Sequence, residues 1–383
     1  MSLLKLSPNN LKDVIKAEAH RLGFLIAGVT VCQKPPHWPV YQNWLAKGYH
    51  AGMAYLARED TLQKKAQPGL LLPGARSIWC FGFPYPAASQ AGAFDMGLEK
   101  FGRIASYAQG RDYHLVFPGR LNELVRIIEE IVGRPVLSGL YTDSGPLLER
   151  DLAVLAGLGW VGKNGCLIRA GAGSYFLLAE MLIDLEFEPD PPVMYDRCGV
   201  CRRCIDACPT GCILPDRTLD AGRCISYLTI ENKGGIPREM RPLIGDWVFG
   251  CDICQSVCPW NKFAAIETAP DFQKRAAYQV LSLRKILSLS PLTFKELFVD
   301  SPIARAKRRG LLRNAAVAAG NTLAEDCVTI LRDLLLGDSE PLIRGHAAWA
   351  LSRFGTPDCR QILEKSRRLE SDPAVLEEIN LAL

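Results

Sequence analysis

Cys198-Gly199-Val200-Cys201-Arg202-Arg203-Cys204-Ile205-Asp206-Ala207-Cys208-Pro209 is the stretch on which the reading of the chain turns. A C-x2-C-x2-C-x3-C-P run holds 4Fe–4S clusters, its first three thiolates gripping one cluster and the fourth reaching another. Two-residue gaps let a turning backbone aim successive sulfurs at the corners of one cube, and the proline ends the turn. A second group, Cys251-x2-Cys254-x3-Cys258-Pro259, supplies three thiolates, and Cys224 between the groups fills the vacancy. The count then closes on two clusters: Cys198, Cys201, Cys204 and Cys258 for the first, and Cys208, Cys224, Cys251 and Cys254 for the second. Cys212 competes with Cys224 as a ligand. Short cysteine spacings also hold zinc, but zinc sites come as paired knuckles of four ligands, which this run does not form. Cys32, Cys80, Cys166, Cys327 and Cys359 stand alone in the sequence and read as small buried hydrophobes.

The surrounding chain suits a redox protein kept in a reducing compartment. The MSLLKLSPNN start has no apolar core of a signal peptide, and no apolar run reaches the ~18 residues that span a bilayer. A cytoplasmic location is expected, where fourteen cysteines bind metal or do redox chemistry rather than form disulfides. With 383 residues, 48% of them hydrophobic, there is enough chain for two or three domains. A net charge of only +4 excludes a strong whole-protein field, so a basic site must be a local patch.

Hydrophobic periodicity marks an amphipathic helix over residues 11–22 and strands at Phe24–Val31, Ser77–Phe83 and Pro135–Tyr141. Helices are expected over Leu121–Val132 and Leu147–Ala156, and a hairpin or returning strand over Gly171–Leu185. Beyond about 275, Arg313-Asn314-Ala315-Ala316 and Arg344-Gly345-His346-Ala347-Ala348-Trp349 each open a small-residue helix ending in glycine. Such a period is the sign of stacked helix pairs of HEAT type, with a single αα-hairpin bundle as the alternative. The expected class is α+β, a mixed sheet with helices over residues 1–190. A ferredoxin-like double 4Fe–4S domain follows over 191–265, then all-α HEAT-like repeats over 266–383.

Clusters pass electrons but do not choose a substrate, so the first 190 residues are expected to do the chemistry. A bare electron carrier would leave them unemployed. Asp143, in Thr142-Asp143-Ser144-Gly145-Pro146, stands at a strand-to-turn junction where a carboxylic acid can give up a proton. A helix N-cap is the plain alternative. Gly157-x-Gly159-x-x-Gly162-Lys163 fits P-loop and dinucleotide spacings, but both need a preceding strand, and a helix is read there. The run Arg305, Lys307, Arg308, Arg309 and Arg313 suits a phosphate backbone or a solvated helix face.

With these motifs assembled, the sequence resembles the epoxyqueuosine reductases over almost its whole length. The resemblance is carried by Met53-Ala54-Tyr55-Leu56-Ala57-Arg58, Ser106-Tyr107-Ala108-Gln109-Gly110-Arg111-Asp112-Tyr113-His114 and Thr142-Asp143-Ser144-Gly145-Pro146-Leu147-Leu148-Glu149-Arg150. Gly159-Trp160-Val161-Gly162-Lys163-Asn164, the cysteine set and Arg344–Leu351 complete it. It implies a cobalamin-dependent reductase whose core is similar to that of reductive dehalogenases, with the cofactor bound by residues 1–190. The implied reaction removes the epoxide oxygen of epoxyqueuosine at the wobble position of tRNA, with electrons from the two clusters and an external donor. Asp143 matches the family's proton donor and Arg150 a pocket residue. Arg58, Ser106, Tyr107, Lys163 and Asn164 match motifs around the cofactor, and Tyr227 and Asp252 adjoin cluster ligands. Asp112-Tyr113-His114-Leu115-Val116-Phe117 lacks the glycine of a D-x-H-x-x-G cobalamin element, which fits a base-off cofactor. The basic run would hold the anticodon stem, and a monomer suffices. A small-molecule reductase of dehalogenase type would need neither that run nor the helical tail.

Overall fold

The computed structural model describes residues 8–87, 99–264, 269–279 and 281–383. Most of the MSLLKLSPNN segment lies outside these residues. The first half is built on four strands: β1 (Ile26–Val31), β2 (Ser77–Pro84), β3 (Ser138–Tyr141) and β4 (Phe176–Ile183), in spatial order β1-β2-β4-β3. Every pairing in this sheet is antiparallel, so the α+β class holds with strand directions that alternate throughout rather than a mixed sheet. A parallel pairing occurs elsewhere, between Arg103–Ile104 and Trp247–Phe249, and it ties the first half to the cysteine-rich segment.

Alternation along the strands sends successive side chains to opposite faces. Trp79, Phe81 and Phe83 pack with Met181 and Ile183 beneath α1 (Pro8–Arg21) and α2 (Tyr113–Val132). Ile78, Cys80 and Leu182 face α3 (Glu149–Leu155) on the other side. Helix α2 starts eight residues before the expected Leu121, because Asp112 caps it by accepting the His114 N–H. This early start brings Tyr113 and His114 to the edge of the sheet where β3 ends.

The tail forms the helix pairs expected of HEAT repeats: α4 (Lys307–Thr322) with α5 (Val328–Gly337), and α6 (Pro341–Phe354) with α7 (Pro357–Leu369). Small residues set the spacing of α4 on α6. A Cβ placed on Gly320 would stand 2.9 Å from the Trp349 ring and 3.0 Å from the Ala350 Cα. The cysteine-rich segment is not held by its metal sites alone. Ile225, Leu228, Ile236, Ile244, Val248 and Phe249 share one apolar core with α4 and α6. Among the described residues no helix is long and apolar enough to cross a membrane.

Candidate active site

The thiols gather in two groups, and the chain crosses between them. Cys198, Cys201, Cys204 and Cys258 line one cavity of about 460 Å³, together with Lys163, Asn164 and Trp260. Among the described residues no three His, Cys, Asp or Glu side chains close on a single ion-sized point. Cys208, Cys224, Cys251 and Cys254 form the second group, each acting electrostatically on others of the set. The fourth cysteine of the first run thus stands with the second group, and Cys258 with the first. Cys208 and Cys258 have extended backbones, as the following prolines require.

Two further thiols join the second group. Cys212 is buried, its Sγ 3.5 Å from that of Cys208, and it acts electrostatically on the Cys224 thiol. Cys166, solitary in sequence, acts electrostatically on the Cys254 thiol and so is no isolated core residue. The neighbouring Cys212 thiol draws Cys208 down to about 4 and Cys224 to about 7, whereas burial pushes Cys251 up to about 12.

Asp252, between Cys251 and Cys254, connects this group to the first half of the chain. It is buried, and its Oδ2 accepts the Ser106 N–H and hydroxyl, both at 2.8 Å. Tyr107 follows, its ring among those of Tyr85, Tyr113 and Phe249. The Tyr227 hydroxyl accepts the Gly52 N–H at 2.8 Å. Lys163 and Asn164 are committed to the cysteine loops. Lys163 Nζ donates to the Gly199 and Cys201 carbonyls, and the Asn164 amide reaches the Cys254 carbonyl at 3.5 Å. Arg150 donates to the Gly165 carbonyl, and Arg58 stands exposed ahead of the helix Glu59–Ala66.

The glycine-rich segment is a turn into a short hairpin, Trp160–Val161 with Leu167–Ile168. It follows helix α3 rather than a strand, which removes the P-loop and dinucleotide readings. Gly159 is needed for close backbone approach, since a Cβ there would lie 2.2 Å from the Ile168 carbonyl oxygen.

Asp143 sits just past β3 with φ at 54°, a conformation that costs a non-glycine residue about 1–3 kcal/mol. It caps no helix: α3 begins six residues later, behind Leu148. Its backbone N–H donates to Glu149 Oε1 at 2.5 Å. Its carboxylate Oδ2 accepts the Tyr113 hydroxyl at 2.9 Å and lies 3.7 Å from His114 Nε2. The other ring nitrogen, Nδ1, is 2.8 Å from Asp112 Oδ1. The Asp143 side chain is 61% exposed, although charged groups from several segments act on it, which describes an open cleft. Tyr55, Tyr107, Glu149 and Arg305 feel the Asp143 charge across this cleft.

Proton affinities here diverge. The neighbouring His114 imidazole, 3.7 Å away, outweighs burial and holds the Asp143 carboxyl below its ordinary value. Burial would lower His114, but its hydrogen bond to Asp112 and the nearby Asp143 carboxylate win and raise it to about 9. Burial pushes Glu149 up to about 7, with the Asp143 charge adding to the effect. Beneath it Glu180 is fully buried on β4, and neither carboxyl oxygen meets a donor among the described residues. Burial and the Glu149 charge raise it far above the carboxylate range, so it is a neutral acid.

The basic run divides. Arg305 pairs with Glu231 at the cleft, and Arg308 pairs with Asp338 at 2.7 Å and donates to the Leu289 carbonyl. Lys307 and Arg309 are exposed. Arg313 leaves the set of phosphate contacts: it is 1% exposed and donates to the Leu228, Asn232 and Gly234 carbonyls.

Three family models match the chain. Residues 197–261 match a 4Fe-4S double cluster binding domain, 65–144 epoxyqueuosine reductase QueG, and 303–383 HEAT repeats. The epoxyqueuosine reductase of Xanthomonas campestris is 38% identical over 92% of this chain and 99% of its own. A solved epoxyqueuosine reductase holding an epoxyqueuosine-modified tRNA-Tyr stem loop is 32% identical, with TM-score 0.90 over 98% of both chains. The Bacillus subtilis enzyme, solved with a catalytic aspartate loop swung out of its active site, is 31% identical, with TM-score 0.90 over 98% of this chain and 99% of that one. The chain is an oxidoreductase and belongs to the epoxyqueuosine reductase family.

Proposed function

We propose that the protein reduces epoxyqueuosine to queuosine at the wobble position of tRNA, removing the epoxide oxygen with electrons from two 4Fe–4S clusters and a proton from Asp143. One observation carries this reading. The second thiol group meets the cleft through the Asp252–Ser106 hydrogen bonds, and Tyr107, next in the chain, faces the Asp143 charge. Electrons and a proton can therefore converge on one substrate. The eight assigned cysteines are the proposed ligands, with Cys212 and Cys166 as neighbours of the second cluster. The B. subtilis enzyme's catalytic aspartate loop supports the role of Asp143, which sits in a strained loop of its own.

Cobalamin is the proposed second cofactor. When bound, it supplies a cobalt centre that accepts single electrons and reacts with carbon electrophiles. The cleft fits it in being open and bounded by Tyr55, Tyr107, Asp143 and Arg305. Both nitrogens of His114 are turned to carboxylates, which supports a cofactor without a histidine below the metal. Arg58, Arg150 and Tyr227 are proposed cofactor contacts on the family resemblance, while Lys163 and Asn164 donate to carbonyls of the cysteine loops.

Lys307 and Arg309 are the proposed phosphate contacts, with Arg305 at the cleft where the wobble base, turned out of its loop, would arrive. A monomer of three units, with boundaries near residues 190 and 265, working in the cytoplasm with an external one-electron donor, suffices. Incubating the anaerobically reconstituted protein with cobalamin, a reductant and an epoxyqueuosine-modified stem loop tests the reading. Mass spectrometry should show loss of one oxygen from the nucleoside, and D143N should slow this by about 10²–10⁴-fold. An unchanged nucleoside with fully loaded protein would reject it.

A further inference from the structure

The proton bookkeeping of the proposed reaction asks for more than Asp143 can give. Removing the epoxide oxygen as water breaks two C–O bonds and forms one C=C bond. It consumes two electrons, which the one-electron donor supplies through the clusters, and two protons, both ending on the departing oxygen. A carboxylic acid carries one proton. Asp143 must therefore be charged twice in each turnover, and the Tyr113 hydroxyl and His114 ring turned to its Oδ2 favour the anion between deliveries.

We propose that His114 is the proton relay that charges Asp143, with Asp112 holding the imidazole in place. The inference rests on Asp143 being the acid. The geometry is that of a carboxylate–imidazole–carboxylate line. Asp112 Oδ1 takes His114 Nδ1 at 2.8 Å, and His114 Nε2 faces Asp143 Oδ2 at 3.7 Å. The Tyr113 ring stacks on the imidazole with centroids 4.1 Å apart, and the Tyr113 hydroxyl anchors the same Asp143 oxygen at 2.9 Å. His114 is 30% exposed, so it can exchange protons with water while its far nitrogen addresses the acid. In the transfer the Nε2–H bond breaks and an O–H bond forms on Asp143 Oδ2. Asp143 then passes the proton to the substrate oxygen, and the neutral imidazole takes another from solvent. The second delivery repeats the first.

The surrounding charges support this direction. Asp112 and Asp143 together hold the imidazolium up to about 9, so at neutral pH the proton resides on His114. Arg305 and His114 favour the ionised Asp143, whose charge in turn raises Glu149 on α3. Tyr107 and Tyr113 are pushed upward by burial and by the Asp143 charge, so neither releases a proton in the working range. Glu149, raised to about 7, is the other titratable group nearby, but it meets the Asp143 backbone N–H rather than its carboxylate. His114 acts through Asp143 and is a positioning residue in this sense.

The test uses holoenzyme loaded with both clusters and cobalamin, and compares H114Q, D112N and D143N. For H114Q, kcat should fall by about 10²-fold or more, with KM for the modified stem loop unchanged. The wild-type rate should hold through neutral pH and fall above about 9. The H114Q rate should instead rise by about tenfold for each unit of falling pH between about 8 and 6, because Asp143 must take its proton from bulk water. Added imidazole should restore part of the H114Q rate. In ¹⁵N-histidine spectra the signal missing from H114Q should titrate far above 6.5 in wild type, and lower in D112N. If D143N is inactive while H114Q keeps the wild-type kcat and pH profile, the relay is overturned and the acid stands. If D143N remains active, the reading of Asp143 fails and the relay with it.

Discussion

At Asp143 the backbone and the carboxylate answer to different partners: Glu149 fixes the N–H, while Tyr113 and His114 fix the oxygen. The Asp143 side chain is aimed by a strained turn rather than by packing. Glu180 lies below as a neutral carboxylic acid. Its folded-state pKa is raised, so above about 4.5, where the unfolded chain has lost this proton, the folded protein still binds it. Stability should then decline as pH rises, by up to about 1.4 kcal/mol per unit. In E180Q this decline should be visibly shallower in urea titrations between pH 5 and 8 (roughly one unit per step). Parallel curves for the two proteins would show that Glu180 is ionised in the fold.

Elements join through a few buried polar residues, and His346 on α6 is one of them. Its Nε2 accepts the Ile236 N–H at 3.1 Å and its Nδ1 donates to the Leu342 carbonyl at 2.8 Å, which fixes a neutral tautomer. Burial, aided by Arg241 and Arg313, holds its pKa well below 6.5. The unfolded chain takes up this proton below about 6.5 and the folded chain does not, so stability should fall with pH there by about 1.4 kcal/mol per unit. H346Q should flatten that limb in thermal or urea unfolding; an undiminished slope would assign it to other groups. Local patterns announced α1, β2 and the paired helices of the tail, because periodicity and small-residue spacing are properties of short segments. The start of α2 was not legible: it depends on the Asp112 cap. That cap puts Tyr113 and His114 beside Asp143, thirty residues on, a juxtaposition fixed by sheet order and not by any local motif.

Across the whole molecule, cysteine spacing expects Cys258 beside Cys198, Cys201 and Cys204, and these four line one cavity. It missed Cys166, whose neighbour Cys254 is remote in sequence. Charge counting overstated the basic run, since the partners Glu231 and Asp338 and the carbonyls around Arg313 lie far along the chain. Accordingly, removing Lys307 and Arg309 together should lower the slope of log K against log salt for stem-loop binding by roughly 1–2. Filter binding with an unchanged slope would move the tRNA surface elsewhere.

Everything converges on two cubane clusters feeding one cleft, and their stoichiometry is directly measurable. Anaerobically purified or reconstituted protein should carry about eight irons and about eight sulfides per chain, with reduced spectra of two interacting 4Fe–4S centres. Zinc in their place, or iron for a single cluster, would contradict the account.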